Sequence, residues 1–87
     1  MAKRGDFPIV EVEWEDSGCK HGWASDLATQ SLIYSVGHLV KDEPKGITLT
    51  ESIDTGEHHA EWGCSLAIPR SAVRKVYVLR QSNKKAK

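Results

Sequence analysis

Trp62–Arg80, WGCSLAIPRSAVRKVYVLR, is the stretch on which the fold turns. Trp62, Cys64, Leu66 and Ile68 alternate with Gly63, Ser65 and Ala67, the period of a strand with one buried face. Pro69 has no backbone donor and a fixed φ, so Ile68-Pro69-Arg70-Ser71 reads as a tight corner. Val73 to Leu79 follows as a second strand, with Val76 and Val78 on one face and Tyr77 and Leu79 on the other. Apolar residues on both faces predict a strand covered twice, once by its own domain and once by something else.

Upstream of the corner the chain supplies the rest of a small β domain. Phe7 to Glu15 alternates, with Val10, Val12 and Trp14 on one side and Glu11, Glu13 and Glu15 on the other. Three carboxylates at this spacing superficially resemble an acid–base or metal array, but on an exposed strand face they are expected to be solvated. Asp16 to Ala24, DSGCKHGWA, has the glycines and small polar residues of a loop. Trp23 within it is expected to fold back on the core, since it brings a large apolar surface to a small protein; the other reading is an exposed binding aromatic. Ser25-Asp26 offers a cap for a short helical turn through about Ser31 with Leu27 inward, or else the segment is an extended connection.

Leu32 to Lys41 returns to period two, apolar on both faces, and Gly37 in its middle predicts a bend or a close backbone approach. Asp42-Glu43-Pro44-Lys45-Gly46 is a hairpin turn by composition. Ile47, Leu49, Glu51 and Ile53 make the third strand. Asp54 to Glu61 is a polar loop, and Gln81 to Lys87 carries no apolar periodicity. The expected organisation is a mobile basic arm over 1–6, one domain over 7–80 and a disordered basic tail over 81–87. Five short strands with one brief helical turn predict a mainly β protein, a small five-stranded barrel of the SH3 or Sm-like type.

Composition narrows the function classes. At 87 residues, 39% hydrophobic and 28% charged, the chain is one globular domain with a modest core, and oligomerisation would help it. No apolar run approaches the roughly 20 residues needed to cross a bilayer, and no secretory signal opens the chain. A cytosolic location and free thiols at Cys19 and Cys64 follow as expectations. Charge is lopsided: residues 1–68 hold all twelve carboxylates against five cations, whereas 69–87 hold seven cations and no acid. Such asymmetry suits contact with phosphates or head-to-tail contact between subunits; a solvated basic tail is the plainer reading.

No Gly-rich phosphate loop, nucleophile elbow or HExxH helix is present. A Cys19/His21 nucleophile pair has no identifiable orienting acid. Cys19-x-His21 and His58-His59 with Cys64 contain metal-ligand types, but adjacent or i, i+2 positions make joint ligation awkward, so no metal and no cofactor are expected. The strongest binding candidates are Arg70, Arg74 and Lys75, with Arg80 beyond them. Their charged heads suit phosphate or carboxylate, and Tyr34, Trp23 or Tyr77 could stack a base. Charges on an edge strand that discourage aggregation are an equally good reading.

Trp14-Glu15-Asp16, Trp23, Ser35-Val36-Gly37-His38-Leu39, Ile47-Thr48-Leu49 with Ser52, and Ile68-Pro69-Arg70 with Val73 and Val76 occur in an order similar to that of a small, largely uncharacterised family of bacteriophage-encoded proteins that resemble Sm-like barrels. The similarity spans roughly residues 9–79, and its motifs are weak singly. His38 stands where the pattern usually has an aromatic. The resemblance implies a non-enzymatic accessory protein of the host cytoplasm. Sm-like subunits pair a fourth strand with the next subunit's fifth to form rings. They bind RNA through turns that correspond to Asp42–Lys45 and Ile68–Ser71, although the Sm RNA-binding residues themselves are not matched. The expected partners are therefore copies of the chain and an anionic ligand, RNA or a signalling nucleotide. The alternative is a host enzyme, polymerase or defence factor that the protein blocks, with Glu11, Glu13 and Glu15 imitating nucleic acid.

Overall fold

The computed structural model describes residues 3–17, 23, 25–56 and 62–83. Five antiparallel strands form one sheet: β1 (Ile9–Asp16), β2 (Ser31–Glu43), β3 (Gly46–Ile53), β4 (Trp62–Pro69) and β5 (Val73–Arg80). A single 3-10 turn, η1 (Arg70–Ala72), joins β4 to β5. The spatial order is β4-β3-β2-β1-β5, so β4 and β5 are the two edges and do not pair with one another. The mainly β class is as expected, but the sheet is not closed into a barrel. The corner turns the chain from one edge to the other rather than sealing a seam between them.

Alternation along β1 sorts the residues onto two faces. Val10 and Val12 are fully buried, and they join Ile47, Leu49 and Ile68 in a core flanked by Trp14, Leu39, Ala72 and Val73. Register carries this face across the sheet in rows, since residues directly opposite in a ladder share a side. Gly37–Val10–Val78, Ser35–Val12–Val76 and Ile33–Trp14–Val73 face the core, and Trp14 Nε1 donates to Ser35 Oγ at 3.0 Å between two of these rows. The other face carries His38–Ile9–Arg80, Val36–Glu11–Tyr77 and Tyr34–Glu13–Lys75.

Register shifts at three places bend the sheet: two in the β1–β5 ladder and one between Leu39 and Lys41 in the β2–β3 ladder. Each leaves one residue out of the alternation, which re-aims its side chain and increases the local twist. Gly37 makes the close approach that its sequence position suggested: a Cβ there would lie 3.0 Å from the Thr50 carbonyl oxygen. The β2–β3 hairpin closes on Pro44-Lys45, with Glu43 opposite Gly46.

Three expectations are corrected. The helical turn is not at 25–31, where the backbone is bent and extended and Leu27 is exposed; it is in the corner, where Pro69 fixes the approach. Trp23 is not a core residue: at 105% relative exposure it rests on nothing. On β4 only Ile68 is buried, whereas Trp62, Cys64 and Leu66 are exposed. Cys64 has a φ of 55°, rare for a non-glycine residue, and departs from extended strand geometry there.

The segment before β1 meets the segment after β5. Asn83 N–H donates to the Gly5 carbonyl at 2.7 Å, and Ser82 Oγ donates to the Asp6 carbonyl at 2.7 Å. Lys3 to Asp6, expected as part of a mobile arm, form a turn closed by Asp6 N–H on the Lys3 carbonyl and by Lys3 N–H on the Asp6 carboxylate. The tail beyond Asn83 lies outside the described residues.

Candidate functional site

The cations singled out in the sequence occupy three different settings. Arg70, on η1, reaches across to the β2–β3 turn, where Nη2 donates to the Asp42 carboxylate and, at 2.6 Å, to the Glu43 carbonyl. The backbone seconds this docking, since Arg70 N–H donates to the Lys45 carbonyl at 2.9 Å. Corner and hairpin are thus tied together by a residue whose charge is already matched. A recess of about 350 Å³ beside them is walled by Lys41, Glu43, Lys45 and Pro69 among others, and Lys41 itself pairs with Glu43 at 3.5 Å.

Arg74 is the residue left over by the register shift between Glu13 and Trp14, opposite Lys75 and Val73 respectively. Freed from the alternation, its Nε donates to Glu15 Oε1 at 2.6 Å. The bond and the guanidinium charge hold the Glu15 carboxyl below its ordinary range and raise the Arg74 guanidinium correspondingly. Strict alternation would put Arg74 and Arg80 on one face with Lys75 opposite. The two shifts instead free Arg74 to reach Glu15 and bring Arg80 to the glutamate-bearing face, where alternation already places Lys75.

Lys75 and Tyr34 do come together, one on each side of Glu13 in a single row. Lys75 Nζ lies 4.8 Å from the centre of the Tyr77 ring, a cation–π contact. The Tyr34 phenol is raised above its ordinary value, first by its hydrogen bond to Glu13 and then by that carboxylate's charge. Trp23 joins none of these residues. Of the five candidates, then, two share a face, two are bound to carboxylates, and one stands apart.

Cys19, His21, His58 and His59 lie outside the described residues. Among the described residues no group of three or more His, Cys, Asp or Glu side chains could hold a metal ion, and no helix is long and apolar enough to cross a membrane.

A group of cations outside every ion pair among the described residues lies at the far end of β5. Arg80 is opposite Ile9, which is opposite His38, so all three share the outward face. The turn at Lys3–Asp6 delivers Lys3 and Arg4 beside them, and Lys3, Arg4, His38 and Arg80 wall one recess of about 280 Å³ together with Gly5, Ile53 and Thr55. Reading the sequence did not assemble this cluster. Its signals were Gly5-Asp6 and Ser82-Asn83, both turn-forming pairs, but nothing local says that they pair with each other. Comparison of the chain with protein-family models, with curated proteins and with solved structures finds no match.

Proposed function

We propose that the chain is a non-enzymatic assembly module of Sm-like architecture that completes its sheet with copies of itself, β4 of one copy pairing with β5 of the next. One observation carries this reading. The core-facing rows run out onto both edge strands, where Leu66, Val76 and Val78 remain 38%, 37% and 51% exposed. A lone sheet with two free edges, each with apolar residues beside unpaired backbone groups, is a template for strand addition. The edges are the fourth and fifth strands, the pair that Sm-like subunits join. A contact between unlike edges of identical chains is heterologous, and it closes into a ring when the rotation permits.

On this reading the phage-type role in a host cytoplasm follows from the resemblance. An anionic ligand such as RNA or a signalling nucleotide would meet the assembly at the row of Lys75 and Tyr34. A second reading, docking on a host protein, is favoured by Leu32, Tyr34 and Val36, which are exposed beside Glu11 and Glu13 on the outward face.

Two edge variants test the assembly. Leu66→Lys blocks β4 and Val78→Lys blocks β5, each by placing a charge where a neighbouring strand would pack. Native mass measurement is expected to give oligomers for the unaltered chain, monomers for either variant alone, and a one-to-one dimer when the two are mixed. A monomeric unaltered chain, or a mixture that stays monomeric, defeats the proposal.

A further inference from the structure

The recess at the chain ends goes beyond edge-to-edge assembly and does not depend on it. Its cations come from separate parts of the chain: Lys3 and Arg4 from the turn before β1, Arg80 from the end of β5. Unlike Arg70 and Arg74, none of the three is in an ion pair among the described residues. Like charges gathered in this way repel, and folding tolerates them only because other interactions hold the segments in place.

Those interactions are built from backbone. Gly5 has a φ of 83° and is buried, and a Cβ there would overlap the Asn83 side-chain amide. Only glycine takes that conformation without penalty, so the turn is specific to this residue. The bonds from Asn83 and Ser82 to the Gly5 and Asp6 carbonyls then fix Lys3 and Arg4 against the end of β5. His38, on β2 beyond β1, is steadied by its Nδ1–H on the Thr50 carbonyl at 3.3 Å. The nearby acids are engaged locally, the Asp6 carboxylate with Lys3 N–H and the Asp54 carboxylate with Gly56 N–H at 2.9 Å.

We infer that this recess binds the terminal phosphate of a small phosphorylated molecule. A phosphate monoester carries close to two negative charges at neutral pH and three acceptor oxygens, a match for one guanidinium fork and two further cations. The volume, about 280 Å³, lies just below the range typical of pockets that enclose whole drug-sized ligands, so the phosphate and the atoms next to it are what it can hold. Ile53 and Thr55 offer the neighbouring part of the ligand one apolar and one polar surface.

Titration with inorganic phosphate at low ionic strength, followed by amide chemical shifts, tests the site. Saturable shifts are expected at residues 3–5, at His38 and around 80–83. Arg80→Gln and the double variant Lys3→Gln/Arg4→Gln are each expected to weaken binding about tenfold or more, the scale of a lost hydrogen bond to a charged group. Arg70→Gln/Arg74→Gln removes as much positive charge elsewhere and is expected to leave binding within twofold. If that control weakens binding as much, or the two recess variants leave it unchanged, the site is overturned. Lys3 and Arg4 are exposed, so their variant decides the matter should Arg80→Gln lose its far-ultraviolet spectrum.

A nucleoside 5′-monophosphate is expected to move the same amides, and the matching nucleoside to move none. An oligoribonucleotide lacking terminal phosphates that displaces phosphate from those amides, more tightly as its length grows, would instead assign the cations to a nucleic-acid backbone. Oligomeric mass, read on the same samples, keeps a failure of the assembly proposal separate from a failure of this one.

Discussion

The two ends of β5 treat their arginines in opposite ways. At the corner end Arg70 and Arg74 are spent inside the protein, one tying η1 to the β2–β3 hairpin and the other tying β5 to β1 through Glu15. At the other end Arg80 stands with Lys3 and Arg4 around a recess and is in no ion pair among the described residues. Equal side chains at or beside the two ends of β5 thus do different work, and neighbouring acids decide which. The corner faces Asp42, Glu43 and Glu15, residues that the register brings within reach. The chain end faces Ile9 and His38.

The contrast can be broken most severely at Gly5. Gly5→Val forces a β-branched side chain into a left-handed conformation and into Asn83, and it is expected to cost about 2 kcal/mol, read as a lower urea midpoint. It should also abolish phosphate binding while leaving the Arg70 and Arg74 pairs intact. An unchanged midpoint would show that the chain ends contribute nothing to stability.

A smaller loss is expected at the corner. Arg70→Ala removes an exposed pair and one bond to a carbonyl, about 0.5 kcal/mol, because water competes for both partners. A loss as large as that of Gly5→Val would mean that the corner, not the chain ends, secures the sheet.

The smallest effect lies in the response to acid. Glu15 is held below its ordinary value in the folded chain, so its contribution is present above the unfolded carboxylate range, which begins near 4.5, and disappears as pH falls through the lowered folded value. Glu15→Gln is therefore expected to flatten the decline in stability on the acid side and to leave the neutral-to-alkaline side unaltered. A flattening above neutrality would point to another group.

Much of the sheet was legible because its signals are local. The alternation of Val10, Val12 and Trp14, the breaker Pro44-Lys45-Gly46 and the corner at Pro69 each declare themselves within a few residues. What failed was local evidence without a partner. Ser25-Asp26 offers a helix cap, yet too few residues follow to sustain a helix, and the segment stays extended. Trp23 promised burial by its size, but its side chain is fully exposed. On β5 two register shifts move Arg74 and Arg80, but not Lys75, to a face that strict alternation would not give them. The cluster at the chain ends was least legible, since it depends on residues 3–6 meeting residues 80–83 across nearly the whole length of the chain.

The bond between Gly5 and Asn83 has a topological consequence. With Gly5 and Asn83 bonded at one end of the sheet, the described part of the chain from Lys3 to Asn83 is nearly a closed loop. A short linker from Asn83 to Lys3, in place of the residues outside them, could therefore close this loop, and new termini could be opened in the exposed stretch 25–30 between β1 and β2. Such a circular permutant would begin with β2 and finish with β1, yet keep every ladder of the sheet.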